Sequence, residues 1–226
     1  MPTVLILGAS RGIGLEFVRQ YRADGWRVLA VARSDDGIKA IEALGAQALR
    51  ADLTDAGQVA GLGWKLDGEA IDVAIYNAGV IGPRTEGAQP VTREDFDKVM
   101  HVNVLGPMMA LPLLLPLVEA GRSGKGGVLA VLASRMGSIG TMDSNRSWLY
   151  RVSKAAANAA LKAASLDARH ATCLAFHPGW VQTEMGGKEA DLTPQQSVSG
   201  MRAVIAGATR QDNGGFRNYD GSVIPW

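Results

Sequence analysis

A tyrosine and a lysine lie four residues apart in the alanine-rich segment that contains Tyr150 and Lys154. On a helix this spacing brings both side chains to one face, within reach of each other. A free phenol, with a pKa near 10, is a poor acid at neutral pH, but a nearby ammonium favours the phenolate and lowers that pKa. The pair therefore predicts a proton donor, Tyr150, that Lys154 activates.

The first apolar run, Leu5-Ile6-Leu7, breaks into the closely spaced glycines Gly8, Gly12 and Gly14 and then into a helical pattern. This order indicates a strand, a tight turn and a helix N-terminus. Backbone N–H groups at the positive end of a helix dipole bind phosphate, and glycines let a pyrophosphate approach the main chain. The turn predicts a dinucleotide site, although its G-x-x-x-G-x-G spacing departs from the G-x-G-x-x-G fingerprint and many folds contain glycine-rich loops.

Polar segments follow three other strands of the predicted sheet. They are Asn77-Ala78-Gly79, Ser134-Arg135-Met136-Gly137 and His177-Pro178-Gly179-Trp180. Ligands of open parallel sheets bind at the carboxyl ends of the strands, so we expect these segments to face the same crevice as the glycine turn. His177 is interpreted as a strand-end residue, because Tyr150 already supplies the acid.

Alternating strands and helices account for the chain. Strands are predicted at 5–7, 27–32, 46–51, 71–76, 127–133, 171–177 and 216–221, and helices at 13–24, 37–44, 54–66, 93–100, 104–120, 148–168 and from Thr193-Pro194 onward. Strands that are apolar on both faces are typical of a parallel sheet covered on both sides. We therefore predict one α/β domain over residues 1–226, a Rossmann-like doubly wound fold with a mostly parallel sheet of about seven strands and helices on both faces. Pro112 and Pro116 indicate that the helix drawn from Val104 is kinked or begins later.

Composition narrows the expected partners. A formal net charge of +1 over 226 residues gives no electrostatic footprint for nucleic acid or an anionic membrane, so we expect a small molecule. Cys173, the one cysteine, lies in an apolar run and is interpreted as a buried structural thiol in a reducing, cytoplasmic setting. No basic region precedes the first apolar run, so we expect no signal peptide. The apolar segment 104–118 is short for a membrane span, contains prolines and is interpreted as a buried helix.

Taken together, the motifs resemble those of the short-chain dehydrogenase/reductase family. The matching residues are Gly8-x-x-x-Gly12-x-Gly14, Asn77-Ala78-Gly79, Asn103, Ser134, Tyr150-x-x-x-Lys154 and Pro178-Gly179, in that order over nearly the whole chain. Within the family the chain is most similar to the C-factor and Sniffer type of carbonyl reductase. That similarity rests on Met136-Gly137-Ser138-Ile139, the run from Trp148 to Lys154, and the ending Tyr219-Asp220-Gly221 through Pro225-Trp226. The resemblance implies hydride transfer between a nicotinamide cofactor and a carbonyl or alcohol, and no metal.

The resemblance also implies catalytic roles. Tyr150 would give its proton to the carbonyl oxygen, while Lys154 would lower the pKa of Tyr150 and hold the nicotinamide ribose. Ser134 would hydrogen-bond the reacting oxygen, and Asn103 would help to hold a water in the proton relay. The loop between Ser134 and Tyr150 is a few residues longer than the common form of the family, so Ser138 is kept as the substitute for Ser134.

Cofactor-binding residues follow from the same resemblance. They are Gly8, Ser10, Arg11, Gly12, Ile13, Gly14, Arg33, Asp52, Leu53, Asn77, Ala78, Gly79, Tyr150, Lys154, Pro178, Gly179, Val181 and Thr183. Asp52 would contact the adenine side, whereas the backbone of 178–181 and the Thr183 hydroxyl would hold the nicotinamide carboxamide. The pair Gly186-Gly187 marks the following segment as a candidate mobile lid.

The choice between cofactors depends on charge. Arg33 follows the second strand and Arg11 lies in the glycine turn, and two guanidiniums suit a 2′-phosphate. Asp35 and Asp36 are close enough to hold a ribose 2′-hydroxyl instead, or simply begin the next helix. We favour NADP(H), with NAD(H) as the alternative.

Three functions remain in competition at this point. The first is an NADP(H)-dependent carbonyl reductase or alcohol dehydrogenase, which the set Ser134, Tyr150 and Lys154 favours. The second is a cofactor-binding signalling or regulatory protein with little turnover. The third is an epimerase or dehydratase without net cofactor consumption. The alanine-rich helix after Tyr150 also predicts a homodimer or homotetramer that associates through this helix and the one before it.

Overall fold

The computed structural model describes residues 1–226, and its elements alternate as the sequence pattern predicts. The strands are β1 (Thr3–Leu7), β2 (Arg27–Ala32), β3 (Gln47–Arg50), β4 (Val73–Tyr76), β5 (Val128–Leu132), β6 (Thr172–His177) and β7 (Gly215–Asn218). The helices are α1 (Gly12–Ala23), α2 (Asp35–Ala43), α3 (Ala56–Lys65), α4 (Arg93–Met100), α5 (Gly106–Glu119), α6 (Gly121–Gly124), α7 (Trp148–Ala164) and α8 (Pro194–Gly207). A π-helical turn (His101–Leu105) and the 3₁₀ turns Arg135–Gly137 and Arg210–Asp212 complete the chain.

All seven strands form one parallel sheet in the order β3-β2-β1-β4-β5-β6-β7. Successive side chains of a strand point to opposite faces, and both faces here are buried. Leu5 and Leu7 belong to the core on one face, whereas Val4 and Ile6 belong to the core on the other. The predicted doubly wound, Rossmann-like fold is therefore confirmed, and the chain order reverses between β1 and β4, where such sheets bind their ligands.

The region from Arg93 to Glu119 differs from the predicted pair of separate helices. The π-helical turn joins α4 to α5, so one continuous helix of 27 residues results, with Pro112 and Pro116 inside it. The helix therefore does not begin after these prolines. By length and composition it could span a membrane, but it packs through Leu111, Leu114 and Val118 into the core that contains Leu5. The inner face of this helix is therefore buried, as the sequence predicts for the segment 104–118.

Helix starts agree closely with the sequence signals. Thr193 and Gln196 form a reciprocal capping box at the start of α8, as the Thr-Pro signal indicates. The Ser34 side chain caps α2, so the next two residues, Asp35 and Asp36, form the first turn of that helix. α7 begins at Trp148 and places Tyr150 in its first turn, at the carboxyl edge of the sheet where the polar segments gather.

Candidate active site

The glycine turn after β1 is held from the end of β4. The Asn77 Nδ2 atom donates a hydrogen bond of 2.6 Å to the carbonyl oxygen of Gly8. Gly8 has φ +84°, and a Cβ there would lie 2.8 Å from the backbone nitrogen of Ala78. A Cβ on Gly14 would lie 2.2 Å from the Gly8 oxygen. The turn is therefore packed so tightly that only glycine fits at both positions.

The N-terminus of α1 is open to an anion. Four other helices, α2, α3, α4 and α8, begin with a side chain that accepts a hydrogen bond from their first turn. α1 begins with Arg11, which makes no side-chain cap, so its first N–H groups at Gly12, Ile13 and Gly14 have no such acceptor. Gly12 has φ +54° and no side chain to cover these N–H groups. The closest atom to a Cβ placed on Gly12 would be the Thr183 methyl carbon, at 3.3 Å. These features fit a dinucleotide pyrophosphate.

The polar groups beyond β2 and β3 form a second cluster. The Arg33 guanidinium is largely exposed and lies 3.7 Å from the Asp52 carboxylate. Asp52 accepts hydrogen bonds from the N–H and hydroxyl of Thr54, and these, with Arg33, hold its pKa below the usual value despite partial burial. The side chain of Arg50 binds Asp35 and donates to the Arg33 carbonyl oxygen. Asp35 is therefore already paired.

Tyr150, Lys154 and Ser134 are buried together. The exposed fractions of Tyr150 and Lys154 are 7% and 5%, and the Lys154 Nζ atom lies 5.7 Å from the centre of the Tyr150 ring. Burial raises the pKa of Tyr150 to about 12, and the Ser134 hydroxyl beside it opposes the rise. Burial lowers the pKa of Lys154 to about 8, and its Nζ atom donates 2.9 Å to the Leu132 carbonyl oxygen. The predicted proximity of phenol and ammonium is thus present, but burial outweighs the expected lowering of the Tyr150 pKa.

Asn103 lies in the π-helical turn, and its side chain is fully engaged. Its Oδ1 atom accepts from the Val80 N–H, while its Nδ2 atom donates to the Val80 carbonyl and to the Ser153 hydroxyl, all at 2.8–2.9 Å. A Cβ on Gly79 would lie 3.2 Å from Lys154 Nζ and 3.4 Å from Asn103 Oδ1. The segment after β4 is therefore held against α7.

The two candidate serines differ in environment. Ser138 is completely buried, donates to the Pro225 carbonyl oxygen and accepts from the Thr141 N–H. Ser134 lies beside Tyr150 and accepts a hydrogen bond of 3.2 Å from the Met136 N–H. The geometry favours Ser134 for contact with a reacting oxygen and gives Ser138 a role in holding the C-terminal segment.

The loop after β6 closes over the glycine turn. Its backbone turns at Gly179, with φ +83°, and Val181 pairs with Leu192 in an isolated bridge. The Thr183 hydroxyl accepts from the Gly186 N–H at 3.1 Å. Glu184 forms an ion pair with Arg11, so the loop and the turn touch through charge as well as packing.

Sequence reasoning placed most of these residues but missed several partners. Leu53 is buried, and its carbonyl faces Gly106, whereas Ser10 faces Gly37 at the start of α2. The missed groups are Arg50, which neutralises Asp35, Glu184, which pairs with Arg11, and Ser153, which binds Asn103. Of these three, only Arg50 could have been found from the sequence, because it lies at the carboxyl end of β3, where the other site residues were expected.

Several known proteins are similar to this chain in sequence and in structure. The sequence profile described as short chain dehydrogenase matches residues 2–193. The C-signal protein of Myxococcus xanthus is 37% identical over 158 residues, which cover 69% of this chain and 93% of that protein. A carbonyl reductase from Pseudomonas aeruginosa PAO1 in complex with NADP superimposes with a TM-score of 0.86 at 32% identity, and carbonyl reductase Sniffer of D. melanogaster with a TM-score of 0.89 at 28% identity. Each alignment with these two structures covers 100% of both chains.

Proposed function

The chain belongs to the short-chain dehydrogenase family of oxidoreductases, and from this premise we propose that it transfers a hydride between NADP(H) and a carbonyl or alcohol substrate. The observation that carries the proposal is the joint burial of Tyr150, Lys154 and Ser134 at the carboxyl edge of the sheet, the edge at which the glycine turn also lies. The nicotinamide, when bound, would supply the hydride. The chain itself would supply a proton and a place for the developing oxygen charge.

Tyr150 is the proposed general acid. With a pKa raised by burial it is a neutral phenol at pH 7, the form that can donate a proton to a carbonyl oxygen. The Ser134 hydroxyl would hydrogen-bond the same oxygen and orient it. Lys154 would stabilise the phenolate that remains after transfer, because its ammonium lies on the same helical face. Asn103 would act by fixing the segment that packs against Lys154.

The preference for NADP(H) rests on exposed positive charge near the second strand. Arg33 is largely exposed and its contact with Asp52 is long, so its guanidinium can turn toward a 2′-phosphate. Asp35, the carboxylate that could hold a ribose hydroxyl in NAD(H), is paired with Arg50. Arg11 would add a second guanidinium near the 2′-phosphate if its ion pair with Glu184 opened. The NADP in the Pseudomonas relative supports the same choice.

A binding and turnover experiment tests both the preference for NADP(H) and the role of Tyr150. Titration with NADPH and NADH, followed by fluorescence, is expected to give tighter NADPH binding, and Arg33→Ala is expected to weaken NADPH about tenfold while leaving NADH unchanged. Arg93→Ala, which removes an exposed arginine from α4, is the control. Tyr150→Phe is expected to lower aldehyde reduction about a hundredfold or more with binding retained.

A signalling protein that binds the cofactor without much turnover is the second candidate, and the relative named C-signal favours it. Tight NADPH binding without Tyr150-dependent turnover across aldehydes, ketones and quinones would support this candidate. Activity without net cofactor oxidation would instead support an epimerase or dehydratase. Failure to bind either cofactor would contradict all three.

The chain is further proposed to act in the cytoplasm as a homodimer or homotetramer. The outer faces of the continuous helix Arg93–Glu119 and of α7 expose Leu105, Met108 and Val152, with exposed fractions of 40%, 55% and 48%. A second copy would cover these apolar side chains. Light scattering that gives the mass of one chain at working concentration would contradict association.

A further inference from the structure

An open cavity lies at the carboxyl ends of β5 and β7, next to the proposed catalytic residues. Its volume is about 180 Å³. Arg135, Thr141, Asn218 and Ser222 supply its polar lining, and Val223 and Ile224 supply apolar contacts. None of these residues has a part in the chemistry described above, so the cavity needs its own explanation.

Arg135 brings an uncompensated positive charge to this cavity. It begins the 3₁₀ turn directly after Ser134, is exposed, and its guanidinium makes no ion pair or hydrogen bond with the protein. By contrast, Arg146 in the same loop is paired with Glu86 at 2.8 Å. A planar guanidinium with free donors is the side chain best suited to bind a carboxylate through two parallel hydrogen bonds.

Neutral polar groups around Arg135 also lack partners. The Thr141 hydroxyl and the Asn218 Oδ1 atom are buried, and neither makes a hydrogen bond within the protein. His177 lies opposite Asn218 in the strand pairing, and its Nδ1 atom is likewise unpartnered. Burial and the charge of Arg135 lower the pKa of His177 to about 4, so it is neutral at pH 7. Buried polar groups without partners are rare, and their clustering beside a free arginine indicates a site built for a polar ligand.

The Asp220 carboxylate, two residues before Ser222 of the cavity lining, does not pair with Arg135. Asp220 accepts hydrogen bonds from the N–H and hydroxyl of Ser222, at 3.0 and 2.7 Å. It forms no ion pair. The cavity therefore offers one free cation, a hydroxyl donor and an apolar wall.

We propose that Arg135 and Thr141 bind a carboxylate of the substrate, so that the substrate class is a carbonyl acid. This inference rests on the proposed reductase function. Arg135, which lines this cavity, directly follows Ser134, the residue proposed to contact the reacting oxygen. A substrate that reaches both residues would carry its carboxylate apart from its carbonyl group, and Val223 and Ile224 would lie along the connecting atoms.

The test compares two aldehydes that differ only in charge. Reduction of 4-carboxybenzaldehyde and of its methyl ester is measured with NADPH for wild type, Arg135→Met, Arg135→Lys and the control Arg146→Met. Arg135→Met is expected to lower kcat/KM for the acid about ten- to a hundredfold, mainly through KM, while the ester is unchanged. Arg135→Lys keeps the charge but cannot form two parallel hydrogen bonds to a carboxylate, so it is expected to recover part of the loss. Equal effects on acid and ester, or none, would overturn the proposal.

A binding measurement separates this inference from the reductase proposal. Calorimetric titration of the NADP⁺-loaded wild type and Arg135→Met proteins with benzoate and methyl benzoate needs no turnover. Benzoate binding that Arg135→Met weakens supports the subsite even if no aldehyde is reduced, whereas absent benzoate binding in the wild type overturns the subsite even if neutral aldehydes are reduced. Thermal unfolding of each variant verifies that it is folded.

Discussion

Replacing Lys154 with methionine is expected to stabilise the cofactor-free protein at neutral pH while removing the cation that the proposed chemistry uses. The Lys154 ammonium is buried and donates one hydrogen bond, to the Leu132 carbonyl oxygen. Burial lowers its pKa from the ordinary 10.5 to about 8. At about 1.4 kcal/mol per pH unit, this lowering corresponds to a penalty of about 3 kcal/mol for keeping the buried amine charged.

The penalty depends on pH with a definite sign. Below pH 8 the amine is protonated in both folded and unfolded chains, so the full penalty acts against folding. Between pH 8 and 10.5 the unfolded chain binds more protons, so the free energy of unfolding rises with pH. Methionine has no such penalty but loses a hydrogen bond worth about 1 kcal/mol. We therefore expect Lys154→Met to be about 2 kcal/mol more stable than wild type at neutral pH and about 1 kcal/mol less stable near pH 10.5.

Urea unfolding followed by tryptophan fluorescence, between neutral pH and about pH 10, measures this difference. The matched control is Lys162→Met on the same helix, which removes an exposed lysine whose Nζ atom donates 3.3 Å to the Gly214 carbonyl oxygen. Its difference from wild type is expected to be small and constant with pH. A Lys154→Met protein that is less stable than wild type at neutral pH, or a difference that does not change with pH, would refute the reasoning.

Further predictions concern packing. Gly14→Ala is expected to lower the free energy of unfolding by more than about 3 kcal/mol, because its Cβ would lie 2.2 Å from a carbonyl oxygen. Gly61 in α3 has open space for a Cβ, so Gly61→Ala is expected to raise the free energy of unfolding by up to about 1 kcal/mol. Urea unfolding of the two variants measures both changes. Cys173 is fully buried, and burial raises its pKa to about 11, so a disulfide reagent is expected to label it in urea but not in the native protein. Rapid labelling of native protein would contradict its burial.

Local patterns in the sequence were sufficient to predict the fold and the proximity of Tyr150 and Lys154. Each strand is buried on both faces, so a short apolar run marks it, and the spacing from Tyr150 to Lys154 directly encodes one helical face. The π-helical turn was not predictable, because α4 and α5 each carry ordinary helical patterns and only packing of Asn103 against Val80 and Ser153 distinguishes the junction.

Partners that are distant in sequence were the other limit. The Asn77 amide and the Gly8 carbonyl oxygen are 69 residues apart, and Arg11 and Glu184 are 173 residues apart. No periodicity or propensity relates such positions, since the contact exists only after the sheet has brought the strand ends together. For the same reason the charge on Arg11 suggested a free anion ligand from sequence, whereas in the structure it is already paired.

The four residues after β4 connect the two halves of the proposed site. Asn77 holds the glycine turn through Gly8, Gly79 packs against Lys154, and Val80 is fixed on both backbone groups by Asn103. A displacement of this segment would therefore move the glycine turn and Lys154 together. Binding and proton transfer require these two parts at a fixed separation, so the segment provides the rigid spacing on which the proposed reaction depends.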